Sequence, residues 1–269
     1  METIVITGST RGIGLGLARE FLKRGRHVLI NGRNEKAVLS QRETLSREFG
    51  PHLVAGFACD VTQYEQVKAM WDFAVKTFGK VDIWINNAGV MNGHQHTWEL
   101  DPKDLKATVD INLLGALYGC KVAIQGMLQS GGGHVYNFEG YGSNGRQFHP
   151  FMTPYGSTKS AVRYLTRSLS RETKGTSVRV GAIAPGIVVT DLLRDPYKDK
   201  PGEWEKAKKI FNILGDHVET VTPYIADQVI KTKKSGQNIE WLTSGKVLGK
   251  FASSLFVKRD LFAQASLTH

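Results

Sequence analysis

The chain has 269 residues, 41% hydrophobic and 22% charged, with 29 glycines and 8 prolines, enough to bury a full core in one domain. Its formal charge is +10, yet Lys and Arg are spread along the chain without a dense cationic arm, so nucleic-acid binding is not expected. Cys59 and Cys120 offer neither a metal-ligand spacing nor a disulfide framework, which points to a reducing compartment.

The first apolar run, around Ile4, Val5 and Ile6, predicts a strand at 4–7. It begins so close to Met1 that no targeting segment is expected, and the chain reads as cytoplasmic. A helix is predicted at 12–24, then strands at 28–31 and 54–58, a helix at 62–78, and strands at 83–86, 134–137 and 178–184. The alternation of strand and helix predicts an α/β fold: one doubly wound parallel sheet with helices on both faces. The strands are almost continuously apolar, as strands covered on both faces must be. No apolar stretch approaches the roughly 20 residues of a membrane-spanning helix.

After Thr190 the rhythm breaks. Segment 191–217 is charged, carries Pro196 and Pro201 and holds a short helical piece at 204–211, and it is a candidate substrate lid, the alternative being a plain surface excursion. Segment 240–269 is a basic, apolar C-terminal extension of the single domain. From Gln228 to the end there are seven basic residues against Glu240 and Asp260. Its run 246–262 (KVLGKFASSLFVKRDLF) suits a packing helix, an oligomer contact or a peripheral membrane anchor.

Two stretches carry cofactor chemistry. In Thr7-Gly8-Ser9-Thr10-Arg11-Gly12-Ile13-Gly14, three glycines stand where a strand turns into a helix. Missing side chains there let the backbone approach a pyrophosphate, which the free N–H groups and dipole of the helix N-terminus attract. The second strand ends Ile30-Asn31-Gly32-Arg33-Asn34, with no acid to hold a ribose 2′-hydroxyl. Arg33 and Arg11 can pair instead with a 2′-phosphate, so NADP(H) is expected in preference to NAD(H). Asp60 and Val61 are placed for the adenine ring, and Asn87, Ala88 and Gly89 for the adenosine side.

The reacting end lies in Tyr155-Gly156-Ser157-Thr158-Lys159. Hydride arriving at a carbonyl carbon leaves negative charge on oxygen, which needs a proton. A phenol with a pKa near 10 is a poor donor alone. Lys159, one helical turn from Tyr155, is expected to lower the phenol's pKa through its ammonium.

These motifs, with Asn112 and Pro185-Gly186-Ile187-Val188-Val189-Thr190, resemble the short-chain dehydrogenase/reductase family over about 4–190. The resemblance implies a Rossmann-type domain, frequent homo-oligomers, and nicotinamide contacts from Pro185, Gly186, Ile187 and Thr190. It also implies that Lys159 holds the nicotinamide ribose and that Asn112 takes part in a proton relay, the alternative for Asn112 being a satisfied buried amide. One position departs from the family pattern: Gly140 stands where a carbonyl-orienting serine would fall. Ser143 is the expected substitute, with Asn137 or a backbone N–H as alternatives. The loop FEGYGSNGR at 138–146 resembles the chlorophyll b reductase branch, which implies a formyl tetrapyrrole as substrate, with another small-molecule carbonyl or a non-catalytic NADP(H)-binding protein as alternatives. Glu139 reads as a solvated loop acid, the alternative being an acid that steers a ring or binds a central metal through water.

Overall fold

The alternation along one short strand explains how the layers form. The computed structural model describes residues 1–93 and 95–263. In β1 (Thr3–Ile6), Ile4 and Ile6 enter one core while Val5, between them, enters the other. Successive side chains of a strand point to opposite faces, so an unbroken apolar run needs cover on both sides.

The strands β1, β2 (His27–Gly32), β3 (Val54–Ala58), β4 (Ile83–Asn86), β5 (Gly133–Phe138), β6 (Val178–Ala184) and β7 (Asn238–Glu240) form one parallel sheet in the order β3-β2-β1-β4-β5-β6-β7. It is the expected doubly wound α/β sheet. On one face, Leu17 and Phe21 of α1 (Gly12–Lys23) pack with Val221 and Ile225 of α9 (Val218–Lys231). On the other, Met70 and Trp71 of α3 (Tyr64–Phe78) pack with Ala123 and Met127 of α5 (Gly115–Gln129). The remaining helices are α2 (Glu35–Phe49), α4 (Pro102–Val109), α6 (Thr153–Glu172), α7 (Asp191–Arg194), α8 (Pro201–Leu214) and α10 (Ser244–Ser254).

Two expectations need correction. β7 was not anticipated, because three residues with two exposed polar side chains carry no period; pairing with β6 alone makes them a strand. A π-turn at Asp110–Leu114 joins α4 to α5, so Pro102–Gln129 is one continuous helix, long and apolar enough by composition to cross a membrane. It is also a core helix: half of its apolar window is buried, and α5 packs on α3, β4 and β5.

The chain reverses winding between β1 and β4, and ligands in such sheets bind beyond the carboxyl ends of the strands at that switch point. The glycine turn after β1, the 87–89 turn after β4 and the loop after β5 all emerge there.

Candidate active site

The glycine turn is held from below by polar side chains buried in the sheet. Ser9 is fully buried: its hydroxyl donates to Ile6 O (2.7 Å) and accepts from Asn31 N (2.8 Å). Asn31 Oδ1 accepts from Gly8 N (3.1 Å), while its Nδ2 donates to Phe57 O and Cys59 O, both at 3.1 Å. Ser9, expected as a cofactor contact, is thus turned inward and serves the shape of the turn. Asn31 was overlooked as a functional residue, although a polar side chain inside an apolar strand was the available signal.

Close approach requires the glycines. Gly8 has φ +62°, and a Cβ there would lie 2.8 Å from Ala88 Cα. A Cβ on Gly14 would lie 2.6 Å from both Asn87 Nδ2 and Gly8 O. Asn87 Nδ2 in turn donates to Thr7 O (2.8 Å) and Gly8 O (2.9 Å), and Thr7 Oγ1 accepts from Asn87 N and Ala88 N at 3.0 Å each. Arg11 at the α1 N-cap makes no side-chain capping bond and the first turn holds no acid, so the N–H groups around Gly12 and Ile13 remain open to an anion.

The rim of this cradle is cationic. Arg33 is exposed and has no ion pair among the described residues, whereas Arg11 pairs with Asp191 at 3.1 Å. Thr10 lies against Gly32, so the tip of β2 and the glycine turn are neighbours. Asp60 uses Oδ1 to accept from Thr62 N (3.0 Å) and Thr62 Oγ1 (2.9 Å), fixing the turn beside buried Val61. Thr190 approaches Gly12, bringing the end of Pro185, Gly186 and Ile187 to the same cradle. These features fit a dinucleotide phosphate.

At the reacting end, α6 presents Tyr155 and Lys159, both almost fully buried. Lys159 Nζ donates to Phe138 O (3.0 Å) at the carboxyl end of β5 and lies 5.7 Å from the Tyr155 ring centroid. Burial pushes the phenol of Tyr155 up to about 12. Burial also pulls the Lys159 ammonium down to about 8, with Glu139 opposing that fall. The phenol's net shift is therefore upward rather than the expected fall, because desolvation outweighs the influence of the Lys159 ammonium, which a backbone carbonyl engages.

Asn112, in the π-turn, accepts from Val90 N (2.8 Å) and donates to Val90 O (2.9 Å) and Thr158 Oγ1 (3.2 Å). Its amide is satisfied, and it pins the segment after Gly89 to α6. A Cβ on Gly89 would sit 3.4 Å from Asn112 Oδ1 and 3.8 Å from Lys159 Nζ, so the turn borders both groups.

The loop after β5 is closed by Ser143. Its Oγ accepts from Gly140 N (2.9 Å), and its N–H donates to Gly140 O (3.1 Å). Asn137 is not at the site: it is fully buried, accepts from Asn86 Nδ2 (2.8 Å) and donates to Thr166 Oγ1 (3.0 Å). Glu139 is not solvated either. Its side chain is 5% exposed and pairs with Arg163 at 3.0 Å.

A second buried acid was missed altogether. Asp216 accepts from Trp241 Nε1 (2.7 Å), Lys250 Nζ (2.7 Å) and Arg259 Nη2 (3.2 Å). Its backbone pairs with Ile187 and Val189, so the extension beyond β7 is tied to the segment expected to meet the nicotinamide. Phe262 packs edge-on to Trp204 of α8 at 4.8 Å, which joins the extension to 191–217 as well.

Comparison with known proteins gives the family. The short chain dehydrogenase family matches residues 2–201. The chlorophyll(ide) b reductase NOL of Arabidopsis thaliana is 39% identical over 260 residues, 93% of this chain and 72% of that protein. The probable chlorophyll(ide) b reductase NYC1 of the same plant is 35% identical over 263 residues, and this chain spans only 52% of its length. A gluconate 5-dehydrogenase from Burkholderia cenocepacia, solved with NADP and tartrate, superposes with a TM-score of 0.75 at 27% identity, covering 92% of this chain and 95% of that one. With the cradle, Tyr155 and Lys159 in place, the chain belongs to the short-chain dehydrogenase family and is an oxidoreductase acting on carbonyl or hydroxyl groups.

Proposed function

We propose that the chain is an NADPH-dependent reductase of a formyl-bearing tetrapyrrole, chlorophyll b or chlorophyllide b, converting the C7 formyl group to hydroxymethyl. One observation carries this reading: the family match stops at residue 201, whereas the likeness to the chlorophyll(ide) b reductase NOL covers 93% of the chain and so continues beyond it through α8.

NADPH would lie along the glycine turn, with its 2′-phosphate between Arg11 and Arg33 and its reacting end beside Pro185, Gly186, Ile187 and Thr190, and it supplies the hydride. Tyr155, kept protonated by burial, gives its proton to the carbonyl oxygen. The Lys159 ammonium stabilises the phenolate so formed, and the charge of that phenolate in turn favours the ammonium. Ser143 orients the carbonyl: its Oγ accepts from Gly140 N, which leaves its own proton to donate.

Aromatic side chains support a large flat substrate. Trp98, 80% exposed, and Phe148, 84% exposed, stand on the two loops that leave β4 and β5. Those loops are linked where Asn92 Nδ2 donates to Phe151 O (3.3 Å). Segment 191–217 would cover the substrate as a lid. Exposed Leu255, Phe256 and Val257, followed by Lys258, would touch a membrane surface peripherally. Exposed Leu117, Leu128 and Tyr164 on α5 and α6 offer a face for a second copy of the chain.

The test is an assay of purified protein with NADPH and detergent-dispersed chlorophyllide b, followed by pigment chromatography. A 7-hydroxymethyl product is expected. NADPH oxidation with simple aldehydes but no pigment product would discard the tetrapyrrole and keep the reductase. Inactivity on both would move the reading to a non-catalytic NADP(H)-binding protein.

A further inference from the structure

Glu139 and Arg163 form an ion pair behind the catalytic lysine. Glu139 is 6% exposed and directly follows Phe138, whose carbonyl accepts from Lys159 Nζ. Arg163 lies one helical turn beyond Lys159 on α6 and reaches the Glu139 carboxylate at 3.0 Å, while Lys159 reaches the carbonyl of the preceding residue. Glu139 N donates to Ile183 O (2.8 Å), which fixes its backbone to β6. A buried acid with one partner is costly to keep without a purpose, because desolvating two charges can exceed their mutual attraction.

We propose that Glu139, held by Arg163, is a positioning residue for the proton relay: its buried carboxylate keeps Lys159 charged and seated on the Phe138 carbonyl. Lys159 needs that support because it is otherwise desolvated, and Glu139 is the acid that opposes the loss of its proton. Burial raises the Glu139 carboxyl, while Arg163, Arg167 and Lys159 act against that rise and Glu240 adds to it. The charged and titratable groups around the relay are therefore Tyr155, Lys159, Glu139, Arg163, Arg167 and Glu240. Glu139 touches neither cofactor nor substrate in this role; it acts through Lys159.

The sign follows from charge. Removing the carboxylate favours neutral Lys159, so the lysine deprotonates at lower pH. The direct test is a side-chain NMR titration of the full chain labelled with 15N-lysine, with the Lys159 signal assigned by Lys159→Arg. The parent midpoint is expected at about 8. In Glu139→Gln it should fall by about one pH unit, the low end of what a neighbouring opposite charge contributes, and Glu139→Asp should restore most of it. Should Glu139→Gln fail to fold, the double variant Glu139→Gln/Arg163→Gln removes an anion and a cation together and should show a smaller downward shift, because loss of the Arg163 cation favours the Lys159 ammonium. An unchanged Lys159 midpoint in whichever of these variants folds would overturn the proposal. A rate profile with chlorophyllide b rests on the tetrapyrrole reading: the alkaline limb of turnover should move down with the NMR midpoint. Absent turnover with a shifted midpoint would count against the substrate and leave the positioning role standing.

Discussion

The hydroxyl of Tyr155 occupies the space that a side chain on residue 140 would need: a Cβ built on Gly140 falls 2.4 Å from the phenol oxygen and 3.3 Å from Lys159 Cγ. The absence of a serine at this position is therefore a steric requirement of the site in its present form. The loop between Gly140 and Ser143 turns back on itself, and Ser143 accepts the Gly140 N–H that this turn exposes.

Gly140→Ser should displace the Tyr155 phenol rather than supply a working hydroxyl. Overpacking of this kind costs about 1–3 kcal/mol, so the protein should still fold with a lowered melting temperature. Turnover should fall at least about tenfold, since small displacements of a proton donor are felt strongly, with the Kd for NADPH nearly unchanged. A variant as active as the parent would mean that the loop moves aside easily.

Tyr155→Phe should leave NADPH fluorescence binding intact and lower kcat by about 10²–10⁴, the usual contribution of a general acid. Near-parental turnover would show that another group protonates the product oxygen.

Arg33→Asp should reverse cofactor preference. Arg33 is exposed and has no ion pair among the described residues, so its loss breaks no ion pair there. A carboxylate at the tip of β2 repels a 2′-phosphate and accepts from a 2′-hydroxyl. The ratio of kcat/KM for NADPH over NADH should drop by more than about tenfold, a change of 1.4 kcal/mol in relative binding. If the ratio holds, selection lies with Arg11, which Asp191 already engages.

Asp216→Asn tests whether the C-terminal extension supports the site. Burial pushes this carboxyl up, but hydrogen bonds from Lys250 and Trp241 outweigh burial and hold it below the ordinary carboxylate range. A depressed carboxyl contributes stability that is present above its unfolded pKa and disappears as pH falls through its folded one. The variant should lose about 2 kcal/mol at pH 7, less than a fully buried pair would cost, because Lys250 and Arg259 are partly exposed. The difference in melting temperature from the parent should close as the pH is lowered below the carboxylate range. The same variant should raise KM, since Asp216 carries the strand-like bridge to Val188.

Much of the fold was legible because the local signals agreed with one another. The predicted strands at 54–58, 83–86 and 178–184 coincide with β3, β4 and β6, where apolar runs are bounded by glycine or polar turns. The helix at 204–211 proved longer, running from Pro201 to Leu214, since its first turn is charged and carries no apolar period. β7 and the Asp216 cluster escaped because their partners lie 25 to 56 residues away in sequence, and no local pattern encodes such a meeting.

By itself, the sequence determined the order of strands and helices, the glycine turn with its open helix N-terminus, and the spacing that sets Tyr155 and Lys159 on one helical face. Those properties depend on the chemistry of near neighbours. Only the tertiary structure decided that Ser9 and Asn31 face inward, that Asn137 belongs to the core and that Gly140 makes room for a phenol. It also decided that Glu139 is buried against Arg163. Each of these depends on which element comes to lie opposite, and burial by a distant segment is what turns a loop acid into a charge that a neighbouring lysine can feel.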